Sequence, residues 1–218
     1  MATPSSLTGE AGADGRRARR RRETIDEALD HAVAIMAERG VGGLTIVEMA
    51  RRMGVQGPSL YKYFPSLHAV YDTLFARGVV ANAAAIQEAI RSATEGRERL
   101  REGVRATVRW CIDNPALAQL LYWRPVPGFE PSPEALALSV ESMQDARREI
   151  NVAVRRGELH GRADSDEALR LLTVVISGLV TQQMANQPDV PFDEGVFTRL
   201  TDEALEMFFA HYGPTRRT

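Results

Sequence analysis

Thr45-Ile-Val-Glu-Met-Ala-Arg-Arg-Met-Gly-Val-Gln-Gly-Pro-Ser-Leu-Tyr-Lys-Tyr-Phe64 is the stretch that decides the fold. Thr45 is a good N-cap, and Glu48, three residues on, completes a capping-box pattern. Ile46, Met49, Ala50 and Met53 recur at helical spacing. Gly54 stops that helix, because glycine takes the left-handed conformation at little cost. Val55 is expected to plug the turn. Pro58 stands where a first helical turn needs no backbone N–H. Leu60 and Phe64, four apart, are expected to face inward, leaving Ser59, Tyr61, Lys62 and Tyr63 outside. The pattern is a helix-turn-helix whose second helix carries hydrogen-bonding side chains near its N-terminus, where such helices meet base edges.

From Thr24 to Leu74 the chain resembles the DNA-binding domain of the tetracycline-repressor (TetR) family of bacterial regulators. Ile25 and Ala28, Gly40, Leu44-Thr45-Ile46, Met49-Ala50, Gly54-Val55 and above all Ser59-Leu60-Tyr61-Lys62-Tyr63-Phe64 carry the resemblance. It implies that Thr45, Gln56, Pro58, Ser59, Tyr61, Lys62 and Tyr63 face double-stranded operator DNA. It also implies a homodimeric regulator, most often a repressor, released from an inverted repeat by a small-molecule effector that enters a cavity between the fourth and eighth helices. One departure stands out. The family usually has a lysine shortly after the position of Phe64, and Leu67 stands there instead, with His68 next to it.

The residue types suit those roles. Lys62, the single lysine of the chain, fits a phosphate or a guanine edge. The hydroxyls of Tyr61 and Tyr63 can be donated to phosphate. Gln56 can bond adenine at two places, with Ser59 beside it near the groove floor. Thr45 offers a hydroxyl and a helix start to the DNA backbone. The plainer alternative is an ordinary solvated helix face.

Charge divides along the chain although the total is near balance, with 27 Lys+Arg against 29 Asp+Glu. Residues 1–78 hold 11 basic and 9 acidic side chains, and residues 79–218 hold 16 and 20. A net-positive head on a net-negative body fits a DNA reader joined to a sensing or pairing body. Arg16, Arg17, Arg19, Arg20, Arg21 and Arg22 form a basic run. The expected organisation is a disordered basic arm over 1–22, a helix-turn-helix domain over 23–78, and a ligand-binding and dimerisation domain over 79–218.

The arm reads as disordered because Met1 to Gly15 is rich in small and polar residues. The first helix is expected from a Thr24 cap to Gly40 with Ile25, Ala28, Leu29, Ala32, Val33 and Met36 inside. A fourth helix should run from Val70 to about Ala93, and a fifth from Arg97 to Asp113. Asn114-Pro115 restarts a short sixth. A proline-rich loop follows from Pro125 to Pro133. The seventh spans Glu134 to Arg156, the eighth follows an Asp164 cap, and the ninth takes Phe192 or Asp193 to Tyr212. No strand alternation or 20–50-residue repeat appears. The fold class is all-α, a three-helix head plus a helical bundle.

Trp110, Tyr122, Trp123 and Met143 are the candidates for lining a ligand cavity, against the plainer reading of core packing. Gly178 and Ala204, small residues among Leu, Val and Phe, point to a homodimer through the eighth and ninth helices. The lone Cys111 fits a reducing cytoplasm and a packed thiol. The apolar stretch Leu171 to Val180 is too short to span a membrane. No metal-ligand spacing, cofactor fingerprint or catalytic grouping is present. The expectation is a cytoplasmic regulator with no enzymatic role and no cofactor. The alternatives are an activator of the same fold, or an all-α enzyme or ligand-binding protein whose head is a packing module.

Overall fold

The computed structural model describes residues 7–214, with side chains from Gly15 onward. The described residues form α-helices joined by turns and short 3-10 segments, with no strand among them. The helices are α1 (Leu7–Arg39), α2 (Ile46–Arg52), α3 (Gly57–Tyr61), α4 (Leu67–Ala89), α5 (Arg97–Asp113), α6 (Pro115–Tyr122), α7 (Pro133–Arg155), α8 (Asp166–Asn186) and α9 (Thr201–His211). The chain divides into two compact units between Val70 and Tyr71.

In the first unit Ala28, Leu29, Ala32, Ile35 and Met36 of α1 are buried, and Val33 is half-buried. Thr24 does not cap this helix. α1 begins at Leu7, and the Thr24 hydroxyl donates to the Arg20 carbonyl 2.9 Å away, inside the helix. The arm expected to be disordered over 1–22 is therefore helical from Leu7, and its residues 1–6 lie outside the described residues. Alanine and arginine are strong helix formers, and that propensity carries the basic run into α1. Gly40, at φ 75°, ends it as expected.

The second unit is built around α5, which packs against α6, α7, α8 and α9. Leu100, Val104, Val108, Cys111 and Ile112 are buried on it. Two caps differ from expectation. The Asn114 amide donates back to the Trp110 carbonyl at 2.9 Å instead of capping α6. Ser165 caps α8 by accepting from the Ala168 N–H at 3.2 Å, because Asp164 is held by Arg147 at 3.1 Å. Ser132 caps α7, accepting from the Ala135 N–H, also at 3.2 Å.

The ninth helix starts at Thr201, later than expected. A fully buried glutamine explains this. Gln183 Oε1 accepts from the Phe197 N–H at 3.2 Å and its Nε2 donates to the Gln187 carbonyl at 3.0 Å. Those bonds fix residues 187–197 as a loop wrapped on α8. Gly195 is required there, since a Cβ would come within 2.4 Å of Gln183 Oε1.

Among the described residues, one face of α8 is uncovered. Leu171, Val174, Val175, Gly178, Thr181, Gln182 and Ala185 run along it, with Val174 65% exposed. Leu200, just before α9, and Met207 on it are exposed, Met207 at 74%, and Ala204 is half-buried. By length and composition the whole of α8, Asp166–Asn186, could also cross a membrane, a longer apolar span than Leu171 to Val180 alone.

Candidate nucleic-acid interface

The helix-turn-helix forms as its sequence directs. Thr45 has extended backbone, φ −140° and ψ 148°, and its Oγ accepts from the Glu48 N–H at 3.1 Å. Ile46, Met49 and Ala50 are buried. Gly54, at φ 66°, reverses the chain, and the Val55 N–H closes the turn on the Ala50 carbonyl at 2.9 Å. Val55 itself does not plug the turn. It is 41% exposed, whereas Leu60 and Phe64 are buried. Gln56 is the N-cap of α3, and Pro58 stands in its first turn.

Burial of Leu60 and Phe64 sets the outward face. Thr45, Gln56, Pro58, Ser59, Tyr61 and Lys62 are all exposed, and Tyr63 is half-buried. The Thr45 hydroxyl still has its proton to donate, since the cap uses it as an acceptor. Ser66 caps α4, its Oγ accepting from the Ala69 N–H at 3.1 Å, although Leu67 replaces the expected lysine.

One arginine of the basic run reaches this face. The Arg21 guanidinium lies 5.5 Å from the Tyr63 ring centroid, and Lys62 Nζ lies 4.8 Å from the same ring. Tyr63 is thus flanked by two cations, an arrangement favoured by the negative face of its ring. It brings the exposed basic run of α1 to α3.

The Glu48 carboxylate does not return to the Thr45 N–H as a capping box would. Oε1 accepts from Arg51 Nη2 at 2.8 Å, Arg39 Nη2 at 3.1 Å and Arg52 Nε at 3.1 Å, and Oε2 accepts from Arg51 Nε at 2.8 Å. Charge-assisted bonds outcompete the neutral cap. Arg52 also reaches Glu38 at 2.8 Å, so the network ties α2 to the end of α1. The hydrogen bonds from Arg51, then Arg52, with the added charge of Arg39, lower the Glu48 pKa from 4.5 to about 2.

The four candidates for lining a ligand cavity are not brought together. Tyr122 and Met143 line a cavity of about 340 Å³ between α4, α5, α6, α7 and α8. Trp110 lines a separate open groove with Arg105, Arg109 and Phe192. Trp123 lines neither. Cys111 is fully buried and hydrogen-bonded to Tyr122, and burial pushes its thiol up to about 12. No His/Cys/Asp/Glu group able to hold a metal occurs among the described residues.

Residues 28–71 match the family model of bacterial regulatory proteins, tetR family. This chain carries a tetR-family domain. An uncharacterized HTH-type transcriptional regulator of Mycobacterium tuberculosis is 32% identical over 108 residues, covering 50% of this chain and 54% of that protein. The HTH-type transcriptional activator FasR of Mycolicibacterium smegmatis is 33% identical over 86 residues, 39% of each chain. The chain thus spans about half the length, or less, of the curated relatives it matches. Over the larger part of the fold, the transcriptional regulator FadR from Bacillus subtilis, solved in complex with stearoyl-CoA, superposes with a TM-score of 0.67 at 18% identity. That match covers 84% of this chain and 97% of FadR. The tetR-family head is therefore joined to a body of the same all-helical fold.

The Glu48 network predicts an acid-sensitive head. A carboxylate whose pKa is depressed by folding adds stability that is complete above its unfolded value and fades as pH falls through the folded one. Glu48→Gln should lower the denaturation midpoint of the head at pH 7, and the gap from the parent should close as pH drops from 4.5 towards 2. A gap that is the same at pH 7 and at the acid limit would contradict the role given to these bonds.

Proposed function

We propose that this chain is a homodimeric DNA-binding transcription regulator that holds an inverted-repeat operator through the exposed face of α3 and is released by a small molecule bound in its body. The observation that carries the reading is the grouping of Thr45, Gln56, Ser59, Tyr61 and Lys62 outside a buried Leu60–Phe64 pair. Thr45, Tyr61, Lys62 and Tyr63 position the protein on phosphates, and Gln56 and Ser59 reach base edges. The six arginines among residues 16–22 add sequence-independent attraction along α1. Repression is the primary reading. Activation is the second, favoured by the name of FasR as an activator. In vitro transcription, with the footprint placed against the promoter, separates the two.

Pairing through α8 and α9 is supported by their uncovered apolar faces. Gly178 is the telling residue. Glycine inside a helix costs about 1 kcal/mol relative to alanine, yet a Cβ at Gly178 would meet nothing within 4 Å in the single chain. A close approach by a second copy gives that glycine a reason. Burial in such an interface also accounts for the hydropathy of α8 in a water-soluble regulator of the cytoplasm.

Release needs a ligand that prefers one arrangement of the protein, and typical couplings are about 1–3 kcal/mol. α4 is the lever in this reading. It is continuous from Leu67 to Ala89 and lines the cavity with Val79, Asn82 and Ile86. Asp72, two turns earlier, accepts from the Ser132 N–H at 2.6 Å and from its hydroxyl at 2.9 Å. The N-cap of α7 is thereby tied to α4, so a ligand that shifts α7 also pulls on α4.

Mobility-shift titration against the DNA around the chain's own promoter tests the DNA reading. Lys62→Ala should weaken binding to all sequences and reduce the salt slope by roughly one unit, and Tyr61→Phe should weaken it as well. Gln56→Ala or Ser59→Ala should change preference at one base position by about 1–3 kcal/mol. Folded Tyr61→Phe and Lys62→Ala variants that bind like the parent at several salt concentrations would refute the interface.

Sedimentation tests the pairing. The parent should be a dimer at micromolar concentration, covering half-sites about 34–36 Å apart or a multiple of that. Val174→Asp should give a folded monomer. A monomeric parent, or a parent recovered only with membranes, would remove this part of the proposal.

A further inference from the structure

We propose that the cleft between α4, α5, α7 and α8 takes an uncharged, chiefly apolar molecule bearing a carbonyl acceptor (a ketone, ester, lactone or amide), which receives the side-chain N–H of Asn82. This inference rests on the sensing reading given above and narrows it to a ligand class.

The cleft has two lobes that share Ile86, Thr107, Ser142, Ala146, Leu172 and Ile176. The inner lobe, about 340 Å³, falls in the range usual for small-molecule sites, roughly 300–1,000 Å³. The outer lobe is about 290 Å³. Their common wall of isoleucine, leucine and alanine side chains suits a hydrocarbon body.

Asn82 gives the polar end. It is 7% exposed, it lines the inner lobe, and its Nδ2 is buried without a hydrogen-bond partner. A buried amide donor left unsatisfied is costly, so native proteins seldom keep one unless something bonds to it. An acceptor on a bound molecule removes that cost. The nearby hydroxyl of Thr107 donates to the Gly103 carbonyl at 2.9 Å, and that of Thr173 donates to the Leu169 carbonyl at 3.0 Å. Both protons are engaged within their own helices, and Ser139, Ser142 and Ser177, which also line the lobe, are less buried than Asn82.

Charge excludes ions. The residues lining the inner lobe include no Asp, Glu, Lys, Arg or His. In the outer lobe the cations are already matched. Arg99 reaches Glu149 at 3.5 Å and Glu95 at 3.4 Å, and Arg148 pairs with Asp145. A carboxylate, phosphate or ammonium reaching the inner lobe beside Asn82 would lose its water without gaining a counter-charge. A coenzyme A thioester, the class of ligand held in the FadR complex, carries phosphates and fits this cleft poorly.

The test uses a matched eight-carbon series on the full chain: octan-2-one, octane, octanoate and octylamine at pH 7.5, with stearoyl-CoA alongside. Calorimetry gives the affinities and tryptophan fluorescence gives a second signal. Octan-2-one should bind at least about tenfold more tightly than octanoate or octylamine. Asn82→Leu should weaken octan-2-one by about tenfold, the loss of one buried hydrogen bond, and leave octane unchanged or tighter. Tighter binding of octanoate, octylamine or stearoyl-CoA than of the ketone overturns the ligand class while keeping the sensing reading. So does a folded Asn82→Leu variant with undiminished ketone affinity. The parent series decides the charge question even if that variant does not fold. No saturable binding by any member overturns both the ligand class and the sensing reading.

Discussion

A five-residue helix cannot hold its own shape in water, since isolated helices shorter than about 12–15 residues are marginal even in favourable sequences. α3 exists because Leu60 and Phe64 are pinned beneath it, 1% and 3% exposed. That anchoring fixes which side chains point out. It presents Gln56, Ser59, Tyr61 and Lys62 at fixed spacing, which a mobile loop could not do. The Glu48 carboxylate supplies the second constraint. By gathering Arg39, Arg51 and Arg52 it locks α2 to the end of α1, and α3 follows through the Gly54 turn. The reading surface is thus held from below by apolar packing and from the side by charge.

The head was legible in the sequence wherever its signals were local. The Thr45 cap, the Gly54 turn, Pro58 in the first turn and the Leu60–Phe64 spacing all act within a few residues, and all stand as read. The helical bounds of α5 were legible for the same reason. What was hidden depends on distance along the chain. The partners of Glu48 include Glu38's neighbour Arg39, on the far side of the Gly40 bend. The late start of α9 depends on Gln183 reaching the loop around Phe197. The helical Arg16–Arg22 run was hidden differently. It lacks an apolar stripe, so periodicity missed what intrinsic propensity provides.

The body shows why aromatic residues mislead as pocket markers. Trp110 and Thr107 lie on the same helix but border different spaces. The Trp110 side of α5 carries Arg105, Arg109 and Asp113 to an open groove, whereas Leu100, Gly103, Val104 and Thr107 turn to the cleft. The informative residue was the modest Asn82, which no sequence pattern distinguishes from a surface asparagine. Burial without a partner is a property of the folded chain alone. In the same way, the exposed stripes of α8 and α9 become meaningful only once the folded chain leaves them uncovered.

Lys62 offers a direct measurement of the central claim, that the outward face of α3 meets DNA. It is the single lysine of the chain and is exposed. Side-chain acetylation can therefore be followed at one site by mass, apart from the α-amine. The account predicts that saturating promoter-region DNA slows acetylation of Lys62 several-fold, and that raising the salt until the complex dissociates restores the rate. An unchanged rate under conditions where the same DNA is demonstrably bound would contradict the account and move the interface elsewhere on the molecule.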